Sequence, residues 1–187
     1  MLIHLLEQPL KYDGTQLASL FGFRNFGLQG DSVVCFRGEC DVALTEMVDL
    51  ADVRDNSPIY SEDMLHFIIE HFDNDLEKTV IRQRLLVAIT KEILEKETGC
   101  ALLRSGDDLY QDKRKLSVSI ATVSPVSTMI HMGLNISSYN TPVPTISLCD
   151  LGIQADKMLK VGSLIAKTYS EEINSIRLAR CKVRGVN

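Results

Sequence analysis

The chain has no Cys-x-x-Cys pair, and its five cysteines (Cys35, Cys40, Cys100, Cys149, Cys181) are odd in number and far apart. That spacing excludes a zinc ribbon and argues against a disulfide framework, so most of these thiols read as small buried hydrophobes. No apolar run nears the roughly 20 residues that a helical bilayer span requires. The opening Met1-Leu2-Ile3-His4-Leu5-Leu6-Glu7 meets an acid too early for a secretory signal, so a cytoplasmic location with no membrane partner is expected. Positive charge is also short. Twenty Lys and Arg against 25 Asp and Glu leave a formal net charge of −5. This argues against a wide electropositive face, and so against duplex nucleic acid as a partner held through its phosphates. Tryptophan is absent, and we find no internal repeat, low-complexity tract or linker.

What is present suits one globular domain over residues 1–187, with 45% hydrophobic and 24% charged residues. Residues 1–60 read as short strands and turns, the clearest strand being Ser32 to Phe36, and residues 55–58 read as a loop. Met64 to Phe72 suits a strand buried mainly on one face, with a helix as the alternative. Asn74 to Thr98 is the best helix: Asn74 can cap, Glu77 sits at the capping-box position, and Gly99 stops it. Ala101 to Leu103 reads as a strand, residues 105–108 as a turn, and Arg114 to Val123 as a long alternating run. Ile130 to Ile136 should return antiparallel to that run. A closing helix carries Met158, Gly162, Ile165, Tyr169, Ile173 and Ile176 on one stripe. The order predicts an α+β fold, a mixed and largely antiparallel sheet with helices on one face.

Alternation from Lys115 to Ala121 sets Lys115, Ser117, Ser119 and Ala121 on one face, and Leu116, Val118 and Ile120 on the other. The second face is expected in the core. The first offers one long cation followed by small side chains, room for a ligand whose charged end meets Lys115. On the returning strand, His131, Gly133 and Asn135 share a face and are expected to line the same cavity. Pattern alone fits an exposed sheet face as well, where water favours Ser and Lys. His66, Glu70 and His71 imitate metal spacing, but on a strand His71 points away from the other two. Structural histidines and no metal site are expected there. Arg177, Arg180, Lys182 and Arg184 read as the cationic end of a helix in solvent.

The stretch from Arg104 through Ser105-Gly106-Asp107-Asp108-Leu109-Tyr110 to Lys115-Leu116-Ser117 resembles a signature of the biotin protein ligases. There, Lys-Trp-Pro-Asn-Asp-Leu-Tyr precedes a Lys-Leu-Ala-Gly strand. It is similar also to the lipoate ligase form, a Gly-Asn-Asp turn followed by Lys-Val-Ser-Gly-Ser. His131-Met132-Gly133-Leu134-Asn135-Ile136 resembles the Gly-x-Gly-x-Asn strand of the first branch and the His-Gly strand of the second. Thr145 to Ile153 is similar to the segment that leads into the last helices of biotin ligases. As a whole, the chain also resembles a family of uncharacterised archaeal and bacterial proteins catalogued as a domain of unknown function.

The biotin/lipoate ligase resemblance implies a class II synthetase-like fold, with the ligand in a cleft on the open face of the sheet. It makes Lys115 the counterpart of the lysine beside the acyl carbonyl, a group able to stabilise developing negative charge. Partial burial is expected to lower its pKa toward a range useful for proton transfer. Arg104 takes the place of the biotin ligase lysine and, with Arg37, is read as an anion clamp. Asp108 is read as support for Lys115 or for a divalent cation. Related octanoyltransferases use a thiolate shortly after the returning strand. Cys149 lies near that place, although Leu-Cys-Asp stands where they have Pro-Cys-Gly.

The departures bear on the cofactor. Adenylate-forming members carry a glycine- and arginine-rich loop, and this chain has only Phe36-Arg37-Gly38-Glu39 there, so ATP and Mg²⁺ are left undetermined. Val118 also replaces the glycine that usually follows the Lys-x-Ser element. The expected partner is a small carboxylate or acyl ligand, with a homodimer left open. Ligase-like or acyltransferase-like chemistry at Lys115 is one reading. A non-catalytic binder of a carboxylate or nucleotide that keeps the pocket is a second, and a structural protein with a vestigial cleft is a third.

Overall fold

The computed structural model describes residues 1–57 and 59–186. In chain order the elements are β1 (Leu2–Leu5), α1 (Phe21–Phe26), β2 (Ser32–Val42), α2 (Leu50–Arg54), β3 (Ile59–His71) and α3 (Leu76–Thr98). There follow β4 (Leu103–Ser105), β5 (Asp108–Gln111), β6 (Arg114–Lys115), β7 (Ser117–Val123), β8 (Thr128–Asn135) and α4 (Met158–Ala179). The main sheet runs β1-β2-β3-β8-β7, antiparallel except for the β1–β2 pair, and β4-β5-β6 form a separate small meander. The fold is therefore α+β with a mostly antiparallel sheet, and β7 pairs with β8 as the two apolar runs predicted.

Alternation along the strands divides the sheet into two faces. Val33, Cys35, Leu65, Phe67, Ile69, Ile130, Met132 and Leu134 face α3 and α4 in the larger core. The α4 stripe of Met158, Ile165, Tyr169 and Ile173 is buried against them, while Ile176 is exposed. Gly162 lets the helix settle close to the sheet, because a Cβ there would lie 2.6 Å from Cys35 Sγ. Asp31 ties sheet to helix, accepting from Phe72 N (2.9 Å) and His71 Nδ1 (3.2 Å) and pairing with Arg177. His71 in turn meets Tyr169 Oη at 2.9 Å through Nε2. Of the basic C-terminal cluster, Arg177 thus has a structural partner.

The opposite face is partly covered. Val34, Phe36, Cys40, Met64, Ile68 and Met129 form a second core with Tyr12, Phe21 and Met47 from the N-terminal segments. The cover is anchored edge-on to β2: Leu10 N donates to Arg37 O, Tyr12 N to Glu39 O and Asp41 N to Tyr12 O, all at 2.8–2.9 Å. Gly38 permits this approach, since a Cβ would stand 2.0 Å from Leu10 O.

Several local expectations are corrected. The α3 cap is Asp75, which accepts from Lys78 N, so Asn74 lies one residue outside it and Glu77 is not a capping-box partner. The strand placed at 101–103 begins at Leu103. Only Cys35 and Cys40 are buried, Cys100 is half-buried and Cys149 and Cys181 are exposed; all five are free. Pro58, in the loop expected at 55–58, lies outside the described residues.

The alternating run 114–123 breaks at Leu116. Lys115 ends β6, where its N donates to Pro144 O and its carbonyl accepts from Ile146 N, whereas Leu116 N bonds Leu109 O and the chain enters the main sheet at Ser117. The interruption changes the phase, so the predicted face of Lys115, Ser117, Ser119 and Ala121 is not one face. Ser117 is fully buried and accepts from Leu109 N, and Ala121 packs on the helix-side core. Val118 and Ile120, expected in the core, face the open side opposite Gly133 and His131.

Candidate functional site

Between the N-terminal cover and β6, β7 and residues 141–145 lies a cleft of about 360 Å³. Its floor is apolar, with Met64, Val118 and Ile120 among the lining side chains, and Lys115 is its one lining cation among the described residues. Five acids also line it: Glu46, Asp49, Asp52, Asp107 and Asp108.

Lys115 is positioned by its backbone. Beyond the two bonds given above, its carbonyl accepts from Asn135 Nδ2 at 3.2 Å. The β5–β6 register sets Tyr110 directly opposite Lys115 and leaves Asp108 diagonal to it, close enough for cross-strand pairing. Lys115 Nζ lies 2.9 Å from Asp108 Oδ2, with the two side chains 30% and 20% exposed. Burial works to lower the Lys115 pKa, but the hydrogen bond and charge of Asp108, with Tyr110 and Asp52, outweigh it and raise the value. This corrects the expectation of a lowered pKa: the pairing with Asp108 favours the ammonium form of Lys115, which acts as a hydrogen-bond donor. Burial pushes Asp108 up from the ordinary carboxylate range, with Lys115 opposing.

Asp107 is held by Gln83 Nε2 (2.9 Å) and Arg84 Nη1 (2.8 Å), and its carbonyl accepts from Ser119 Oγ at 3.1 Å. Ser119 Oγ also accepts from Gln83 at 2.8 Å, so this serine joins the meander to α3.

One buried histidine of the lining, His131, is joined to a second, His66, which lies outside the lining. His66 Nε2 lies 3.2 Å from Gly38 O, and His66 Nδ1 lies 3.1 Å from His131 Nε2. Tyr12 stacks on His131 with ring centroids 3.8 Å apart, and Phe36 stacks on His66. Burial drives both histidines down, His66 to about 4 and His131 well below its ordinary value, so both rings are neutral.

Of the residues singled out from sequence, the cleft gathers Lys115, Asp108, Ser119, His131 and Asn135. It does not gather the others. Arg37 forks onto Asp63 (2.9 and 3.0 Å from Nε) and lines a shallow hollow outside the cleft. Arg104 is exposed and donates to Gly106 O, within its own turn. Cys149 is exposed and lines neither cavity, Ser117 is sealed inside, and Gly133 lies under Met64 and Val118. The two arginines therefore do not clamp an anion at Lys115, because each is held elsewhere by a nearer acceptor.

Sequence reasoning missed Tyr12, Ser61 and the acids at 46–52. Ser61 enters the cleft because β3 carries one extra residue between its pairings Met64–Gly38 and Ser61–Cys40. Such a bulge re-aims a side chain and leaves no mark in the hydrophobic pattern.

Comparison with known proteins adds the family. An uncharacterized protein of Methanocaldococcus jannaschii is 42% identical over 183 residues, 94% of this chain and 81% of that one. A protein of unknown function from Pyrococcus horikoshi superposes with a TM-score of 0.91 at 41% identity, over 99% of this chain and 98% of that one. The biotin protein ligase of Aquifex aeolicus matches at TM-score 0.61 and 17% identity, over 93% of this chain and 69% of that one. A candidate lipoate protein ligase of T. acidophilum, solved with bound lipoic acid, matches at 0.58 and 14%, over 93% and 86%. At these low identities the ligases establish a shared fold alone. The family described as a domain of unknown function, DUF366, matches residues 1–184, and the chain belongs to that family.

Proposed function

We propose that this protein takes a small carboxylic acid or acyl compound into the open-face cleft and acts on it as a ligase-like or acyltransferase-like enzyme. The observation that carries this reading is Lys115: the one lining cation, among the described residues, of a cleft with an apolar floor and five acids. The apolar floor suits a hydrocarbon or ring. Asp108 already pairs with Lys115, so a ligand carboxyl or carbonyl oxygen shares that ammonium with it, while the other lining acids disfavour a carboxylate elsewhere in the cleft. An ammonium aimed at that oxygen stabilises the negative charge that develops during acyl transfer. Asp108 favours the charged form of Lys115 and holds it in place.

A second reading is favoured by one observation. Where the resemblance puts a nucleotide-wrapping loop, β2 runs unbroken through Phe36 to Glu39 with the Leu10–Tyr12 segment packed along it. That supports a binder which keeps the pocket and has no ATP-dependent step. ATP–pyrophosphate exchange against biotin, lipoate, fatty acids and amino acids separates the two. Exchange with one acid that is lost in Lys115→Ala supports the ligase. Calorimetric binding of an acid without exchange leaves the acyltransferase or the binder. An unaffected Lys115→Ala overturns the role given to this residue.

A further inference from the structure

Hydrogen-bond direction in the cleft is set by backbone carbonyls, which can only accept. Gly38 O faces His66 Nε2, so that nitrogen carries the proton of the neutral ring. His66 Nδ1 is then bare and accepts from His131 Nε2, which carries the second ring's proton. The chain of direction ends at His131 Nδ1, which is left as a lone pair on a ring 3% exposed that lines the cleft, and which has no partner among the described residues. Asn135 follows the same logic. Its Nδ2 donates to Lys115 O (3.2 Å) and Ile146 O (3.4 Å), so its Oδ1 is an acceptor.

An independent observation comes from the same cleft, at the end of β3 beyond Met64. Ser61 is 2% exposed, lines the cleft, and its Oγ has no hydrogen-bond partner. A buried hydroxyl without a partner costs free energy that a ligand or water must recover. The site thus presents two acceptors of fixed direction and one unsatisfied hydroxyl, over an apolar floor and within an acidic wall.

We infer that the cleft selects a ligand whose body carries an N–H donor, such as a secondary amide, received by His131 Nδ1, with His131 the specificity-determining residue. This deepens the proposed function: the carboxyl or carbonyl end meets Lys115, and the donor lies further in. A plain hydrocarbon acid leaves the lone pair of His131 desolvated and unpaired, which is the strong form of discrimination by a polar site.

The test uses the full chain and ¹⁵N-labelled histidine. Long-range ¹H–¹⁵N spectra report which ring nitrogen of His131 is bare. The expected result is a bare Nδ1 and a protonated Nε2, and a protonated Nδ1 overturns the inference outright. Four probes are then titrated: 6-acetamidohexanoate, its N-methyl analogue, hexanoate, and N-butylacetamide. The secondary amide acid should bind at least tenfold more tightly than the N-methyl analogue and hexanoate, and should shift His131 Nδ1. His131→Phe should erase that preference, so that within the variant the amide acid binds no more tightly than its N-methyl analogue. If hexanoate binds as well as the amide acid, the inference fails and the carboxylate reading stands. If N-butylacetamide shifts Nδ1 while hexanoate does not bind, the inference stands and the carboxylate reading fails. If no probe binds, both fall.

Discussion

Lys115 and Asp108 stand 2.9 Å apart, Nζ to Oδ2, diagonal to one another on adjacent strands of the small meander and largely screened from water. Neither has another charged partner within salt-bridge distance among the described residues, so removing one strands the other.

In Lys115→Met, therefore, Asp108 becomes a half-buried carboxylate without its counter-ion. The expected loss is about 1–3 kcal/mol at pH 7.5. Asp108 already sits above the ordinary carboxylate range, and the variant raises it further. A group bound more tightly to its proton when folded favours the folded state as the pH falls. The stability gap between variant and wild type should narrow at pH 4.5. Urea midpoints at the two pH values measure this, and a gap that widens on acidification contradicts the pairing.

Acid should weaken the fold through its buried histidines. Folded His66 titrates near 4 instead of 6.5, and His131 and His71 are also lowered by burial. Between those values the unfolded chain binds protons that the folded chain refuses, so stability rises with pH across this window and is lost as pH falls from 6.5. For His66 alone the full effect is on the order of 3 kcal/mol. Asp31 adds to it at lower pH. Although burial works to raise its pKa, bonds from His71, Phe72 N and Arg177 hold it well below the ordinary range, so its contribution disappears only in strong acid. The urea midpoint should fall steadily from pH 7.5 to 4.5, and a flat profile would show that these rings are not held neutral.

The close approach of α4 to the sheet gives a packing test. In Gly162→Ala the new methyl meets Cys35 Sγ at 2.6 Å and the Leu65 methyls at 3.3–3.4 Å. Overpacking of this kind costs about 1–3 kcal/mol, more than the helix propensity gained from alanine, about 1 kcal/mol. Cys35→Ala in the same chain removes the sulfur and should recover part of the loss. Thermal melts of the two single variants and the double variant, treated as a cycle, measure that coupling.

Cys149 lies outside the cleft on an exposed turn. Cys149→Ser is expected to leave ligand binding and turnover within twofold of wild type, and maleimide should label Cys149 and Cys181 ahead of the buried thiols. A loss of turnover with intact folding would restore Cys149 as a nucleophile.

Much of this molecule is legible in one dimension. Pattern located β3, β8, α3 and α4, although β8 and residues 64–71 of β3 are buried on both faces, where 64–72 was expected to be buried mainly on one. The β7–β8 pairing followed from two apolar runs separated by a short polar turn, and Gly99 with its φ of 71° ends α3 as a glycine after a helix should. His131, Gly133 and Asn135 share a face of the unbroken β8, but only His131 and Asn135 line the cleft, because Met64 and Val118 lie over Gly133.

Phase was lost wherever a strand was interrupted. The break at Leu116 turned Ser117 inward and Val118 outward, and the bulge in β3 brought Ser61 into the cleft. Neither event has a composition signal, because a strand's side-chain period is two and a single added or skipped residue exchanges the faces. The cover is harder still: Tyr12 reaches His131 only because Gly38 lets a distant segment lie against β2. The sequence by itself determined the fold class, the two long helices and the pairing of the two apolar runs that became β7 and β8, which rest on local periodicity and on the order of the elements. Tertiary structure alone decided which side chains share the cleft, that Lys115 stays charged, and that Arg37 and Arg104 are spent elsewhere. Those outcomes depend on distances between residues far apart in the chain, and on the burial and charge that follow from them.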